Sequence, residues 1–329
     1  MATKANYLET SASRNLSLIT VARLSDEEAE ETLRHIRWAE TGGEPVCPHC
    51  GAHAYYRYNK RKLWRCKVCD KQYSVTSKTL FHSSKLPARD LLVAVALFVN
   101  CAKGKPALQL SRELNRSYKA IWVLLHKLRE TLTFLQENLV IIGEDSEVAV
   151  DGAYFGGYVK PANHVEKRRD RRKLKNQSGK RQVLMCAREI KGKHARTKVF
   201  VAPSEAGAVP ILEQLIPFGT IVHADELPHY DRLHYSYEAR RINHNTAFSY
   251  EDACTNSAES FFSRVRRSEF GVHHHIAGDY LDHYGSEMAW REDVRRVPNG
   301  DQFLMLLTLC LTLGPTKRMT NQWGKKRAN

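Results

Sequence analysis

Two Cys-x-x-Cys pairs, Cys47/Cys50 and Cys66/Cys69, stand fifteen residues apart in the stretch CPHCGAHAYYRYNKRKLWRCKVCD. Each pair has the spacing of a tight knuckle that presents two thiolates, and fifteen residues are enough for a short hairpin that folds the knuckles together. Strand-forming aromatics flank a basic turn between the pairs, so this spacing predicts a ribbon around a tetrahedral Zn2+ site over residues 45–80. Such a ribbon either only holds its domain together or also lays its basic hairpin on phosphate. Disulfide staples are the weaker use of the same thiols. A chain of 329 residues buries enough core to do without them. The N-terminal MATKANYLETSASRNLSL has no apolar segment of signal length, and LLVAVALFV and FLMLLTLCLTL fall short of the ~20 residues of a membrane span. The expectation is a soluble, cytoplasmic protein in a reducing compartment, with Cys101, Cys186, Cys254 and Cys310 as ordinary buried thiols.

Charge names the class of partner. Fifty-one Lys and Arg against thirty-six Asp and Glu leave a formal +15, which favours a polyanion, nucleic acid first. Ahead of the thiols, LSDEEAEETLRHIRWAE opens on a Ser-x-x-Glu cap and carries Ala29, Leu33, Ile36 and Trp38 at near-helical spacing. Behind them, Pro87 opens a helix that is apolar over most of its surface and should stop near Gly104. PALQLSRELNRSYKAIWVLLHKLRETL then divides at Asn115-Arg116-Ser117 into a short helix and a longer one, with Ile121, Leu124, Leu125 and Leu128 as its inward stripe. That is a helix-turn-helix pattern. Ser117, Tyr118 and Lys119 at the start of its second helix suit phosphates and base edges, while a plain three-helix linker bundle remains the other reading.

After Gly143 the pattern changes. EVAVDGAYFGGYV alternates like a strand and sets Asp151 among apolar neighbours, where an unpaired carboxylate is costly. RQVLMCAREI and TKVFVAP read as two more strands, residues 204–216 as a helix, and TIVHADE as a fourth strand ending on Asp225. RRINH is a short fifth strand, and in CTNSAESFFSRVRRSEF the residues Ala258, Phe261, Phe262 and Val265 form the apolar face of a helix that carries Glu259. This is the element order of an RNase H-like domain, with another α/β nuclease as the alternative. Three carboxylates from three separate elements suit a two-metal phosphoryl-transfer site, since Mg2+ takes oxygen ligands and shares them with substrate phosphates. Arg266 follows Glu259 by seven residues, two helical turns along nearly the same face, where a cation can hold a phosphate.

These motifs resemble the ISXO2-like insertion-sequence transposases, which join a zinc ribbon and a helix-turn-helix to a DDE catalytic domain. The likeness spans roughly residues 20–295 and rests on RWAETGGEPVCPHCG, VDGAYFGG, HADELPHY, NHNTAFSYEDACTNSAESFFSRVRRSEFGVHHHI and YLDHYGSEMAWRED. It implies Asp151 and Asp225 as the first two catalytic acids and Glu259 or Asn256 as the third metal-site residue, with Glu259 preferred because a carboxylate binds Mg2+ better than an amide. The basic run after Glu259 supplies Arg266 and Arg267 for DNA. Gly152 and Cys254 depart from the family pattern, which commonly has an acid and a His at those places.

The reading is therefore an α+β multidomain chain: an N-terminal helical segment (1–44), the ribbon (45–80), a helix-turn-helix domain (86–140), an RNase H-like domain (145–295) and a C-terminal helix with a basic tail (296–329). As a transposase it would bind terminal inverted repeats through its N-terminal half, cleave the element end and join the new 3′-OH to target DNA. It would carry structural Zn2+ and catalytic Mg2+ or Mn2+, act as a homo-oligomer on double-stranded DNA in the nucleoid, and use neither membrane nor small-molecule substrate. A non-catalytic DNA-binding regulator and an RNase H-like nuclease without strand transfer are the alternatives. KRRDRRKLKNQSGKRQ (167–182), with nine Lys or Arg, is a DNA-clamping loop or a solvated excursion. His273, His274 and His275 cannot all point one way on a regular element, and His223 shares a strand face with Asp225, for packing or for support of that acid.

Overall fold

The computed structural model describes residues 7–139, 147–156, 161–170, 176, 179–190, 196–225, 228–242, 255–276, 278–315 and 318–319. The chain forms two compact units, residues 1–131 with 294–329, and residues 132–293. In chain order the elements are α1 (Leu18–Ala22), α2 (Asp26–Arg37), β1 (Tyr55–Tyr58), β2 (Leu63–Cys66), β3 (Gln72–Tyr73), α3 (Ala88–Asn100), α4 (Ala107–Glu113) and α5 (Tyr118–Asn138). They continue with β4 (Glu147–Phe155), β5 (Gln182–Glu189), β6 (Thr197–Ala202), α6 (Glu205–Leu215), β7 (Ile221–Asp225), β8 (Glu238–Ile242), α7 (Asn256–Ser268), α8 (Leu281–Asp293) and α9 (Asn299–Thr312). Among the described residues no helix is long and apolar enough to cross a membrane.

In the first unit, β1, β2 and β3 make a small antiparallel sheet in that order. Ser25 caps α2 in a full capping box: its side chain accepts from the Glu28 N–H, and the Glu28 carboxylate accepts from the Ser25 N–H at 2.7 Å. Trp38, just past the helix, is released to pack edge-on against Trp64 of β2, ring centroids 5.5 Å apart, with Tyr73 of β3 alongside. Arg37 turns its guanidinium onto the carbonyls of Ser74, Val75 and Ser77, and burial holds it down to about 10. Three aromatic rings and one half-buried cation thus join α2 to the ribbon. The C-terminal helix α9, which sequence separates from the rest by the whole second unit, packs on α2 and α3. Its apolar residues Phe303, Leu306, Leu307, Cys310 and Leu311 are buried there, and the Leu80 N–H donates to the Cys310 carbonyl.

The second unit is built on one five-stranded sheet in the order β6-β5-β4-β7-β8. The first three strands pair antiparallel; β7 runs parallel to β4, and β8 parallel to β7. Val148, Val150, Met185, Val222 and Ala224 cover one face under α6, while Ala149, Ala153, Leu184 and Cys186 meet α7 and α8 on the other. Alternation along β4 therefore turns Asp151 toward the α7 side and Gly152 toward the α6 side. The last turn of α5 docks on β6, where the Gln136 side chain accepts from the Val199 N–H at 3.0 Å. Glu292 of α8 pairs with Arg188 of β5 at 2.8 Å and with Arg264 of α7, clamping α7 to the sheet.

Candidate functional site

The two knuckles close as their spacing requires. Cys47 and Cys69 Sγ lie 3.6 Å apart, Cys50 and Cys66 Sγ 3.5 Å, and all four sulfurs fall within 4.8 Å of one another. Thiolates about 2.3 Å from a central Zn2+ stand about 3.8 Å apart, so the donor set fits that ion without rearrangement. The backbone N–H groups of Cys69 and Val68 point at Cys66 Sγ and bring that thiol down to about 7. Among the described residues these four are the group of metal-ligating side chains gathered tightly enough to hold an ion. His273 instead stacks on Tyr284 at 4.7 Å, and His274 and His275 are exposed.

In the helix pair α4–α5, Asn115 takes a left-handed turn (φ 50°) and the Ser117 hydroxyl accepts from the Ala120 N–H at 3.3 Å, starting α5. Ser117, Tyr118 and Lys119 are exposed there, while Ile121, Leu124, Leu125 and Leu128 are buried. Beside them a cavity of about 500 Å³ is lined by Lys85, Arg116, Ser117, Lys119 and Lys127 over a floor of Phe81, Leu86 and Val123. The helix pair offers a basic, partly apolar concavity at the start of its longer helix.

Two of the acids lie on neighbouring parallel strands, Asp151 midway along β4 and Asp225 at the end of β7. β4 and β7 align Ala149 with His223, the last pair of their ladder, so Asp151 and Asp225, two residues on in each strand, share one face. Two residues below, His223 Nε2 lies 3.1 Å from Glu147 Oε2, a buried polar link between the same strands. Glu259 approaches from the first turn of α7 and accepts from the Thr255 hydroxyl at 3.1 Å. A cavity of about 490 Å³ is lined by Asp151, Glu259, Phe262, Ser263, Arg266, Arg267 and Phe270. Arg266 and Arg267 are exposed. Asn256 is exposed too, and it is not part of that lining. Burial pushes the Asp151 carboxyl up to about 7 against the hydrogen bond it accepts from the Gly152 N–H, and the charges of Glu205, Glu259 and Asp225 push it the same way. Asp151, Asp225 and Glu259 are half-buried, and a hard divalent cation bound among them would remove their mutual repulsion.

Sequence reasoning missed Glu205. It is the first residue of α6 behind the Ser204 cap, a position where an acid reads as a partner for the helix N-terminus. Here it is buried, its Oε2 3.3 Å from His229 Nε2, and burial followed by the charge of Asp225 raises its proton affinity. Gly152 was the available signal, since a glycine inside a strand marks a close approach. Cys254, residues 243–250, residues 171–175 and 177–178 of the basic stretch 167–182 and most of the C-terminal tail lie outside the described residues. Within that stretch Arg181 lies over the Tyr154 ring at 4.2 Å.

Comparison with known proteins follows the same division. Residues 143–293 match the ISXO2-like transposase domain and residues 24–72 match the transposase zinc-ribbon domain. An uncharacterized protein in the transposable element ISH50 of Halobacterium salinarum is 22% identical over 303 residues, which cover 88% of this chain and 98% of that protein.

Proposed function

We propose that this chain, whose residues 143–293 match the ISXO2-like transposase domain and whose residues 24–72 match the transposase zinc-ribbon domain, is a transposase that cleaves DNA at the ends of its element and joins them to a target. The observation that carries the reading is the cleft in which Asp151 and Glu259 share one cavity with Arg266 and Arg267, while Asp225 shares the face of Asp151 on the neighbouring strand. The strand order of the sheet, three antiparallel strands followed by two parallel ones, supports an RNase H-like domain. Asp151, Asp225 and Glu259 would hold Mg2+ or Mn2+. Such ions, when bound, activate an attacking oxygen and stabilise a leaving one on phosphorus. Arg266 and Arg267, exposed in the cavity lining, bind backbone phosphates, and Ser263 of the same lining offers a hydroxyl to a phosphate oxygen.

Sequence-specific binding belongs to the first unit. The ribbon, the start of α5 with Ser117, Tyr118 and Lys119, and the concavity beside it offer cations and hydroxyls to double-stranded DNA carrying the element's inverted repeats. Zn2+ on Cys47, Cys50, Cys66 and Cys69 shapes that surface and takes no part in phosphoryl transfer. Cleaving two ends of one element calls for at least two catalytic sites, so the chain acts as a homo-oligomer on DNA.

The test is a supercoiled plasmid carrying the inverted repeats that flank the coding region, incubated with the full chain and Mg2+ or Mn2+. Cleaved and joined ends are expected with either ion and not with Ca2+, whose looser coordination misplaces the reacting oxygen. Hydrolysis without joining would leave a nuclease. End binding with neither reaction would leave a DNA-binding regulator.

A further inference from the structure

Gly152 raises a question that backbone geometry does not answer. It lies inside β4, paired with Met185, and is not among the residues in the left-handed region, so no turn demands a glycine here. What it lacks is room. A Cβ at residue 152 would stand 2.9 Å from Glu205 Cγ, 3.1 Å from Glu205 Cδ and 2.9 Å from Met185 Sδ. Glu205 therefore fills the space that a side chain beside Asp151 would otherwise take.

That choice is costly for a carboxylate. An acid at the start of a helix is stabilised by facing water and the free N–H groups of the first turn. Glu205 instead turns inward: it is 9% exposed. Of the three carboxylates whose charge acts on Asp151, it acts most strongly, and it feels Asp225 as well. Its one ion-pair partner among the described residues is His229 at 3.3 Å. The hydroxyl of Tyr230, 1% exposed, lies in the same corner and lowers the proton affinity of Glu205 by hydrogen bonding to its carboxylate. A buried carboxylate set against two others, with a glycine kept opposite to admit it, is arranged for a cation.

We propose that Glu205 is a fourth acidic residue of the catalytic cleft, contributing its carboxylate to divalent-cation binding from the α6 side of the sheet, through the space that Gly152 leaves open, while Asp151 and Asp225 contribute from the α7 side. This rests on the reading of the cleft given under Proposed function. It links two positions far apart in sequence: the absence of a side chain at 152 and the acid at 205 are one feature.

The experiment measures Mn2+ binding to the zinc-loaded full chain without DNA, by the electron paramagnetic resonance of free Mn2+, with circular dichroism as the check of folding. Glu205→Gln should weaken Mn2+ binding on the order of tenfold. Gly152→Ala should weaken it as well, although it removes no carboxylate, because its methyl displaces the Glu205 side chain. Glu205→Ala should bind poorly, and Gly152→Asp added to it should recover binding, since the new carboxylate enters the vacated space. Wild-type affinity in Glu205→Gln while Asp151→Asn loses Mn2+ would overturn the inference and leave Glu205 as a partner of His229 only. A folded double variant that binds no better than Glu205→Ala would overturn it too. If Asp151→Asn also kept full affinity, the metal reading of the cleft would fall with it.

Discussion

The thiol site and the carboxylate site solve opposite problems. Four sulfurs come from residues 47–69, two knuckles on one small sheet, and they converge within 4.8 Å before any ion is considered. The acids come from β4, β7, α6 and α7, with 33 residues between Asp225 and Glu259 alone; among the described residues they do not gather as the sulfurs do, and burial and mutual repulsion hold Asp151 at about 7. A closed soft-donor set excludes water and serves structure. An open hard-donor set leaves coordination positions for water and substrate, which phosphoryl transfer requires. On the proposed reading, compactness is a poor guide to which site does chemistry, since the tighter set of donors is the structural one.

The largest expected effect is on the closed site. Cys66→Ser removes a donor held by two backbone N–H groups and should cost the chain its one Zn, seen by elemental analysis, together with the fold of the ribbon and binding to element-end DNA. A zinc-free protein that still bound its DNA would erase the contrast between the two sites.

On the open site the fold should survive. Asp225→Asn or Asp151→Asn keeps shape and hydrogen bonding but removes a charge, so cleavage and strand transfer should fall by on the order of 10³-fold while end binding persists in a gel-shift assay. Glu259→Gln should follow at about 10²-fold, and Asn256→Ala should cost less, since Asn256 stands outside the cavity lining. The reverse order in single-turnover cleavage would move the third ligand to Asn256.

The smallest effect is a pH signature. Asp151 is held at about 7 in the folded chain by burial and at about 3.9 when unfolded, so the folded state binds the extra proton. Its contribution to stability is present below the unfolded value and is lost as pH rises through 7. Asp151→Asn should therefore melt a few degrees above wild type, by an advantage that grows from pH 4 to 7 and levels off above. Mn2+ added at pH 8 should shrink that advantage. Asp293, also held near 7 by burial, is present in both proteins and drops out of the comparison.

Periodicity made most elements legible. The Ser25 capping box, the strand alternation around Asp151 and Asp225, and the apolar face of α7 each follow from a pattern a few residues long, and each element forms where that pattern stands. Trp38 is an instructive difference: it keeps near-helical spacing with Ala29 and Leu33 but lies past the end of α2, where its ring belongs to Trp64 and Tyr73. The C-terminal helix, which the sequence sets apart, closes on α2 and α3 because its apolar stripe has to be buried somewhere.

What is local was legible in the residues themselves: the thiol knuckles, whose spacing fixes their geometry, and three candidate acids at apolar strand and helix positions, where an unpaired charge is conspicuous. Only the tertiary structure decided what depends on two distant segments meeting. It put Glu259 in the cavity and Asn256 outside it, and it set Glu205 over Gly152, an acid that reads from sequence as an ordinary helix-start residue. The physical reason is that a charge's cost depends on what the fold buries around it, and that environment for Glu205 comes from strands and turns at residues 151, 225 and 229.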